Sequence, residues 1–235
     1  MLPCRLELPR ACEAEPAGSP STPCTRRCRV ASRLHKKIRP LLRAVATAFP
    51  HAQVELWAVD EHRIGLKPLL RRVWRPLASA RLPPSSTASA GAIWSASSIP
   101  HRGGPLVHLA TTVSIKLFEV ELAAFARVVG ASPTKQIVLV LDRAGWHTSV
   151  RLRVPDHVHL LFLPPCLPEL QPAEHVWPLT NSVLVNRHFE TIDGLDGVPF
   201  TRCAELQHHP DQIRSTTPVH WWPQHIRKRQ GPRLR

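Results

Sequence analysis

Residues Ile137–Trp177 read IVLVLDRAGWHTSVRLRVPDHVHLLFLPPCLPELQPAEHVW. The run Ile137–Leu141 is apolar at every position and rich in branched residues, the pattern of a strand buried on both faces. Asp142 stands at its carboxyl end. A second apolar run, Val158–Leu163, is broken only by His159 and gives the next strand. A proline-rich turn then leads to Pro172, Ala173 and Glu174. Proline is permitted at the first positions of a helix, so a helix is expected from Pro172 to about Val185. Pro178 should kink or shorten it, because an interior proline removes a backbone donor.

Upstream, Arg33–Phe49 places Leu34, Ile38, Leu41, Leu42, Val45 and Phe49 at helical spacing, and Pro50 stops the helix. Val54–Val59 reads as a strand ending at Asp60. The segment Leu77–Pro105 is rich in Ser, Ala and Pro and carries almost no strand signal, so it reads as a long irregular insertion. Such loops are uncommon inside a compact domain. Order returns near Val107. Ile115, Phe118, Leu122, Phe125 and Val129 mark an amphipathic helix closed by Gly130. After Asp193 the pattern weakens. Alternating strands and helices argue for an α/β domain with a central sheet, and such sheets gather functional side chains at the carboxyl ends of their strands. The expected division is an irregular or non-native segment over 1–32, a catalytic domain over 33–200 and a basic tail over 201–235.

The chain has 235 residues, 43% of them hydrophobic, enough for one domain with a buried core. Its net charge of +14 favours a polyanionic partner, of which nucleic acid is the usual one. A GC-rich gene, with its surplus of Arg, Pro and Ala codons, gives the same balance without any partner. Six cysteines are irregularly placed, which excludes a small disulfide scaffold. Cys24, Cys28 and His35 fit no common zinc spacing with Cys4 and Cys12. There is no signal-peptide core, and no run approaches the roughly 20 apolar residues of a membrane span. A reducing cytoplasm is the expected location.

Asp60, Asp142 and Glu174 offer three carboxylates from separate elements. Hard divalent cations such as Mg²⁺ and Mn²⁺ prefer such oxygens, and two ions about 4 Å apart serve phosphoryl transfer. Each acid also has a plain structural reading. An Asp after a strand often caps a turn or helix, and Glu174 suits the first turn of a helix. Glu61 should point away from Asp60 if the strand persists, which favours a structural role. His147, close after Asp142, is a candidate contact to phosphate or to a metal-bound water; a packed or capping histidine is the alternative.

At these residues the chain resembles DDE transposases of the mariner-like bacterial insertion-sequence superfamily. The first block is Asp60-Glu61-His62-Arg63-Ile64-Gly65-Leu66-Lys67-Pro68, followed by Arg71-Arg72-Val73-Trp74. The second is Leu139-Val140-Leu141-Asp142-Arg143-Ala144-Gly145-Trp146-His147. The third is Leu163-Pro164-Pro165 with Pro168-Glu169-Leu170-Gln171-Pro172-Ala173-Glu174-His175-Val176-Trp177-Pro178, and Asn186-Arg187-His188-Phe189 suits the segment beyond it. About thirty residues separate Asp142 from Glu174, as the family requires. The resemblance covers roughly 33–74 and 107–222. It implies a ribonuclease H-like fold, a mixed central sheet flanked by helices. It also implies Asp60, Asp142 and Glu174 as ligands of two Mg²⁺ or Mn²⁺ ions, and cleavage and strand transfer of DNA. The partners so implied are transposon ends and target DNA, met by a possible homodimer in the bacterial nucleoid. Arg71, Arg72 and Arg75 would contact phosphates; a solvated face is the alternative.

The chain departs from the family in three places. No helix-turn-helix is legible before residue 33. The segment between Trp74 and Val107, where the family has an aromatic-rich β-hairpin, holds one Trp and no Phe. Cys166-Leu167 replaces the usual Tyr-Ser. These departures suggest a truncated or frame-disrupted copy with a damaged hairpin. Two other readings follow, an inactive remnant that binds DNA through charge and a structure-selective nuclease on the same fold.

Overall fold

Gln53–Gly65 forms the long central strand of the protein in a computed structural model. The structure describes residues 5–6, 38–72, 91–98, 106–110, 113–164, 170–217, 219 and 221–223; of the first, third and fourth strands it describes the backbone and the Ile93 side chain. In chain order the elements are β1 (Arg5–Leu6), helix α1 (38–48), β2 (Gln53–Gly65), β3 (Gly91–Ser98), β4 (Leu106–Ala110), α2 (Ile115–Val129), β5 (Lys135–Leu141), α3 (Gly145–Thr148) and β6 (Val158–Phe162). A 3₁₀ turn (Pro172–Val176), α4 (Trp177–Asn181), α5 (Ile192–Gln207) and α6 (Pro210–Thr216) follow.

The sheet order is β1-β6-β5-β2-β3-β4. β2, β3 and β4 form an antiparallel meander, and β5 and β6 add to β2 in parallel, with Leu56 opposite Val138 and Leu139 opposite Leu160. This is the ribonuclease H-like arrangement. Because successive strand residues face opposite sides, the apolar strands β2 and β5 feed two cores. Leu56, Ala58, Val138, Val140 and Leu161 pack with Ile38, Leu42 and Val45 of α1 and with Trp221. Trp57, Val59, Leu139, Leu141 and Leu160 pack with Phe118, Leu122 and Phe125 of α2. Each such side chain contributes about 1.5–3 kcal/mol when fully buried. α2 forms as its spacing requires. Ser114 caps its first turn by accepting from the Leu117 N–H, and Gly130 closes it at φ 71°, a left-handed conformation that suits glycine.

Four expectations need correction. β2 does not end at Asp60 but continues to Gly65, because β3 pairs with it from Ala58 to Gly65 and satisfies its backbone groups. Leu77–Pro105 is not irregular throughout, since Gly91–Ser98 within it is β3. Its Ala and Ser have weak strand preference, and pairing with β2 on one side and β4 on the other overrides it. The expected damaged hairpin is therefore present as a backbone hairpin. The helix from Pro172 is a 3₁₀ turn followed by a short helix ending at Asn181, with Pro178 tolerated in its first turn. Beyond 200 the chain is not simply a tail, for Cys203, Leu206, Ile213, Val219, Trp221 and Trp222 are buried. The segment 1–32 contributes Arg5–Leu6, paired in parallel with β6. The Cys24, Cys28 and His35 group and the tail after 223 lie outside the described residues. Among the described residues no helix is long and apolar enough to cross a membrane.

Candidate metal centre

The parity of β2 decides which way its acids point. Asp60 follows Leu56 and Ala58 toward the α1 side, and Glu61 follows Trp57 and Val59 toward α2. β5 runs parallel to β2, so Asp142, just past its last residue, comes to the same end of the sheet as Asp60. The third acid arrives through the segment after β6. Gln171, itself buried, donates its side-chain N–H to the Val59 carbonyl at 2.7 Å, fixing the start of the 3₁₀ turn beside Asp60. The Trp221 indole donates to the Leu170 carbonyl at 3.0 Å, and His175 Nδ1 contacts the Thr216 carbonyl at 3.1 Å. The C-terminal region thus braces the turn that carries Glu174.

Asp60 is held by Trp177, whose indole N–H donates to Oδ2 at 2.7 Å. The Trp177 ring stacks on His62 at 4.9 Å, and His62 Nε2 lies 3.0 Å from the Asn181 side-chain amide. Burial pushes the Asp60 carboxyl up; the Trp177 bond opposes this, and the charges of Glu174, Glu61 and Asp142 add to it, leaving the group at about 7. Two sequence-distant acids, Glu174 and Asp142, and the adjacent Glu61 therefore lie near enough to Asp60 to repel it. An all-carboxylate set of this kind suits a hard divalent cation, which would relieve that repulsion.

Asp142 is held differently. Its Oδ1 accepts from the Ala144 N–H at 2.9 Å and from His147 Nδ1 at 2.8 Å. His147 is fully buried, tilted on the Phe118 ring at 4.4 Å, and its Nε2 meets Glu61 Oε1 at 2.8 Å. With a carboxylate at each nitrogen, both N–H groups donate and the ring is an imidazolium. The Trp146 indole N–H is directed at the same Nε2 from 3.0 Å, with the two rings edge to face. Burial lowers the His147 pKa, but the bonds to Asp142 and Glu61 outweigh it and hold it at about 9. Burial likewise works to raise Asp142, and the bonds from His147 and Ala144 hold it below its ordinary value. Glu121 of α2 completes this side, pushed up to about 7 by burial and by the charge of Glu61.

Glu61, Asp142 and His147 offer ligand atoms within 4.8 Å of one another. Of the predicted triad only Asp142 belongs to this cluster; Asp60 and Glu174 do not. His147 is buried, with both ring nitrogens engaged inside the protein. Glu61 and Trp177 are the residues that sequence reasoning undervalued. The adjacent acidic pair Asp60-Glu61 and the Trp three positions after Glu174 were the available signals. Arg71 and Arg72 are exposed, and Asn186 clamps that segment, accepting from the Arg71 N–H and donating to its carbonyl, each at 2.9 Å. Arg75, Cys166 and Leu167 lie outside the described residues.

The fold and site define a ribonuclease H-like protein with an acidic centre at the carboxyl ends of its parallel strands. Residues 55–196 match the family described as DDE superfamily endonuclease, and the chain belongs to that family. A Sinorhizobium fredii protein, y4pE/y4sA, is 49% identical over 59 residues, which cover 25% of this chain and 44% of that protein. The chain thus spans less than half the length of this curated relative. Among solved structures, the Mos1 transposase paired-end complex with left transposon end is similar at a TM-score of 0.48 and 14% identity, covering 88% of this chain and 67% of that one. The Mos1 mariner paired end complex with Mn gives a TM-score of 0.47 and 12% identity, covering 87% and 67%.

Proposed function

We propose that this chain is the catalytic domain of a DDE transposase, cutting DNA at the ends of a mobile element and joining those ends to target DNA. Asp60, Asp142 and Glu174 are its ligands for two Mg²⁺ or Mn²⁺ ions, and a homodimer on paired ends is its working form. When bound, the ions would activate the attacking water or hydroxyl and stabilise the leaving oxygen. The protein's own part is placement. β2 and β5 carry the two aspartates to one end of the sheet, and Gln171 brings the Glu174 turn to β2. Trp177 orients Asp60, while Ala144 and His147 orient Asp142. Arg71 and Arg72, on a segment clamped by Asn186, meet the phosphate backbone.

The observation that carries this reading is the placement of Asp60 and Asp142 at one end of the parallel strands β2 and β5 of this sheet, with Gln171 tying the Glu174 turn to the Val59 carbonyl beside them. Its test is nicking of labelled DNA bearing the element's flanking repeats, with Mg²⁺ or Mn²⁺, by this chain and by Asp142→Ala. Metal-dependent cleavage lost in the variant is expected. Folded protein that binds DNA yet leaves it uncut at high concentration would overturn the reading in favour of an inactive remnant. Cleavage without joining would favour a structure-selective nuclease.

A further inference from the structure

We propose that Glu61 is a positioning residue for Asp142, acting through His147, so that strand β2 orients both aspartates, Asp60 directly on one face and Asp142 through the Glu61–His147 pair from the other. The proposal rests on the reading of Asp142 as a metal ligand.

Asp142 needs such a device. It lies beyond the last paired residue of β5, and its side chain is 54% exposed, so packing alone does not fix its rotamer. Two hydrogen bonds do, and both fall on Oδ1. One donor is a backbone N–H in the following turn. The other, His147, sits on α3, a single turn of four residues with no side-chain cap, and such a turn has little rigidity of its own. The imidazole is fixed instead by Phe118 against its face and, at Nε2, by Glu61 at 2.8 Å and the adjacent Trp146 indole at 3.0 Å. Glu61 belongs to the 13-residue strand β2 and is paired there with Ser95 of β3, three residues beyond the last pairing of β2 with β5 at Ala58. One ring bridging two carboxylates at 2.8 Å on each side makes short and directional contacts at both ends. Partners outside the ligand shell that orient a ligand in this way commonly change metal affinity by 10–100-fold when removed. The alternation of strand side chains explains why adjacent acids divide the work. Asp60 cannot turn to the α2 side, nor Glu61 to the α1 side, without a register shift of β2.

The test is Mn²⁺ binding to the full chain without DNA, read from the free-Mn²⁺ paramagnetic resonance signal. Wild type is compared with Glu61→Gln, Glu61→Ala and Asp142→Ala, and melting curves confirm that each variant folds. Glu61→Ala should bind about tenfold more weakly, Asp142→Ala should lose one ion, and Glu61→Gln should stay within about threefold of wild type because its amide oxygen still accepts from Nε2–H. Unchanged binding by folded Glu61→Ala would overturn the clamp while leaving the metal site standing. So would Glu61→Gln as weak as Glu61→Ala, which would make charge and not hydrogen bonding the cause. Loss in Glu61→Ala as complete as in Asp142→Ala would make Glu61 a ligand and also overturn it. Absence of Mn²⁺ binding by wild type would remove the metal-site reading itself, and the clamp with it.

Discussion

At Asp60 the needs of the site oppose those of the fold. Burial and the charges of Glu174, Glu61 and Asp142 hold its carboxyl at about 7, against 3.8 for the ordinary group. The folded chain therefore keeps a proton between those values that the unfolded chain has released. The contribution to stability is complete below about 3.8 and is lost as pH rises through 7. Asp60→Asn removes that loss and keeps an oxygen to accept the Trp177 N–H. In chelator-treated protein at pH 8 it should be more stable than wild type by about 1 kcal/mol or more, or roughly 2–4 °C for a chain of this size. The gain should shrink toward pH 4. Mg²⁺ or Mn²⁺ should raise the melting temperature of wild type and not that of the variant. A variant melting at or below wild type at pH 8 would contradict this account. The three acids were legible as candidates because each follows a strongly patterned apolar run or a proline-marked helix start. The tasks of Glu61 and His147 were not, because the hydrogen bond joining them spans 86 positions and exists only after β2 and α3 have packed together.

The elements that sequence revealed are those that bury a continuous or periodic apolar face. β5, β6 and α2 fall close to where their patterns place them. β3 was missed because its Ala, Ser and Gly are held by pairing on both edges and not by their own preference. α5 was missed because Gly194, Gly197 and Pro199 interrupt it, and because its apolar residues form no single stripe. Its burial of Leu195, Cys203 and Leu206 is tertiary information. The same is true of Trp221, a fully buried side chain that packs under the sheet and holds the Leu170 carbonyl. Trp221→Ala should cost about 3–5 kcal/mol, the range for removing a large aromatic from a core. The effect should reach the site, since the braced segment carries Glu174. Mn²⁺ affinity of the still-folded fraction should fall, whereas Phe125→Leu, in the core against α2, should lower the melting temperature without changing metal affinity. Equal effects of the two variants on metal affinity would break the link between the C-terminal region and the third acid.

For the whole molecule, charge and topology together determine how a polyanion would be met. The net charge is +14, and general attraction of DNA to such a chain needs no particular arginine. Path and register do require particular contacts. Arg71 and Arg72 lie on the extension beyond the acidic end of β2, and Asn186, in a left-handed conformation at φ 57°, locks the Arg71 backbone through two hydrogen bonds. Lys116 and Arg127 lie exposed on α2, the helix that covers the face opposite Asp60. Each lost phosphate contact should lower the slope of log affinity against log salt by about 0.9. The double variant Arg71→Ala/Arg72→Ala should therefore reduce that slope by about 2 and weaken binding to all duplex sequences alike, because phosphate contacts carry no base information. Lys116→Ala/Arg127→Ala removes the same formal charge and should leave the slope nearly unchanged. Binding isotherms on one labelled duplex across a salt series decide the matter. If the two double variants shift the slope equally, DNA is drawn by net charge alone, and the path along Arg71 and Arg72 is wrong.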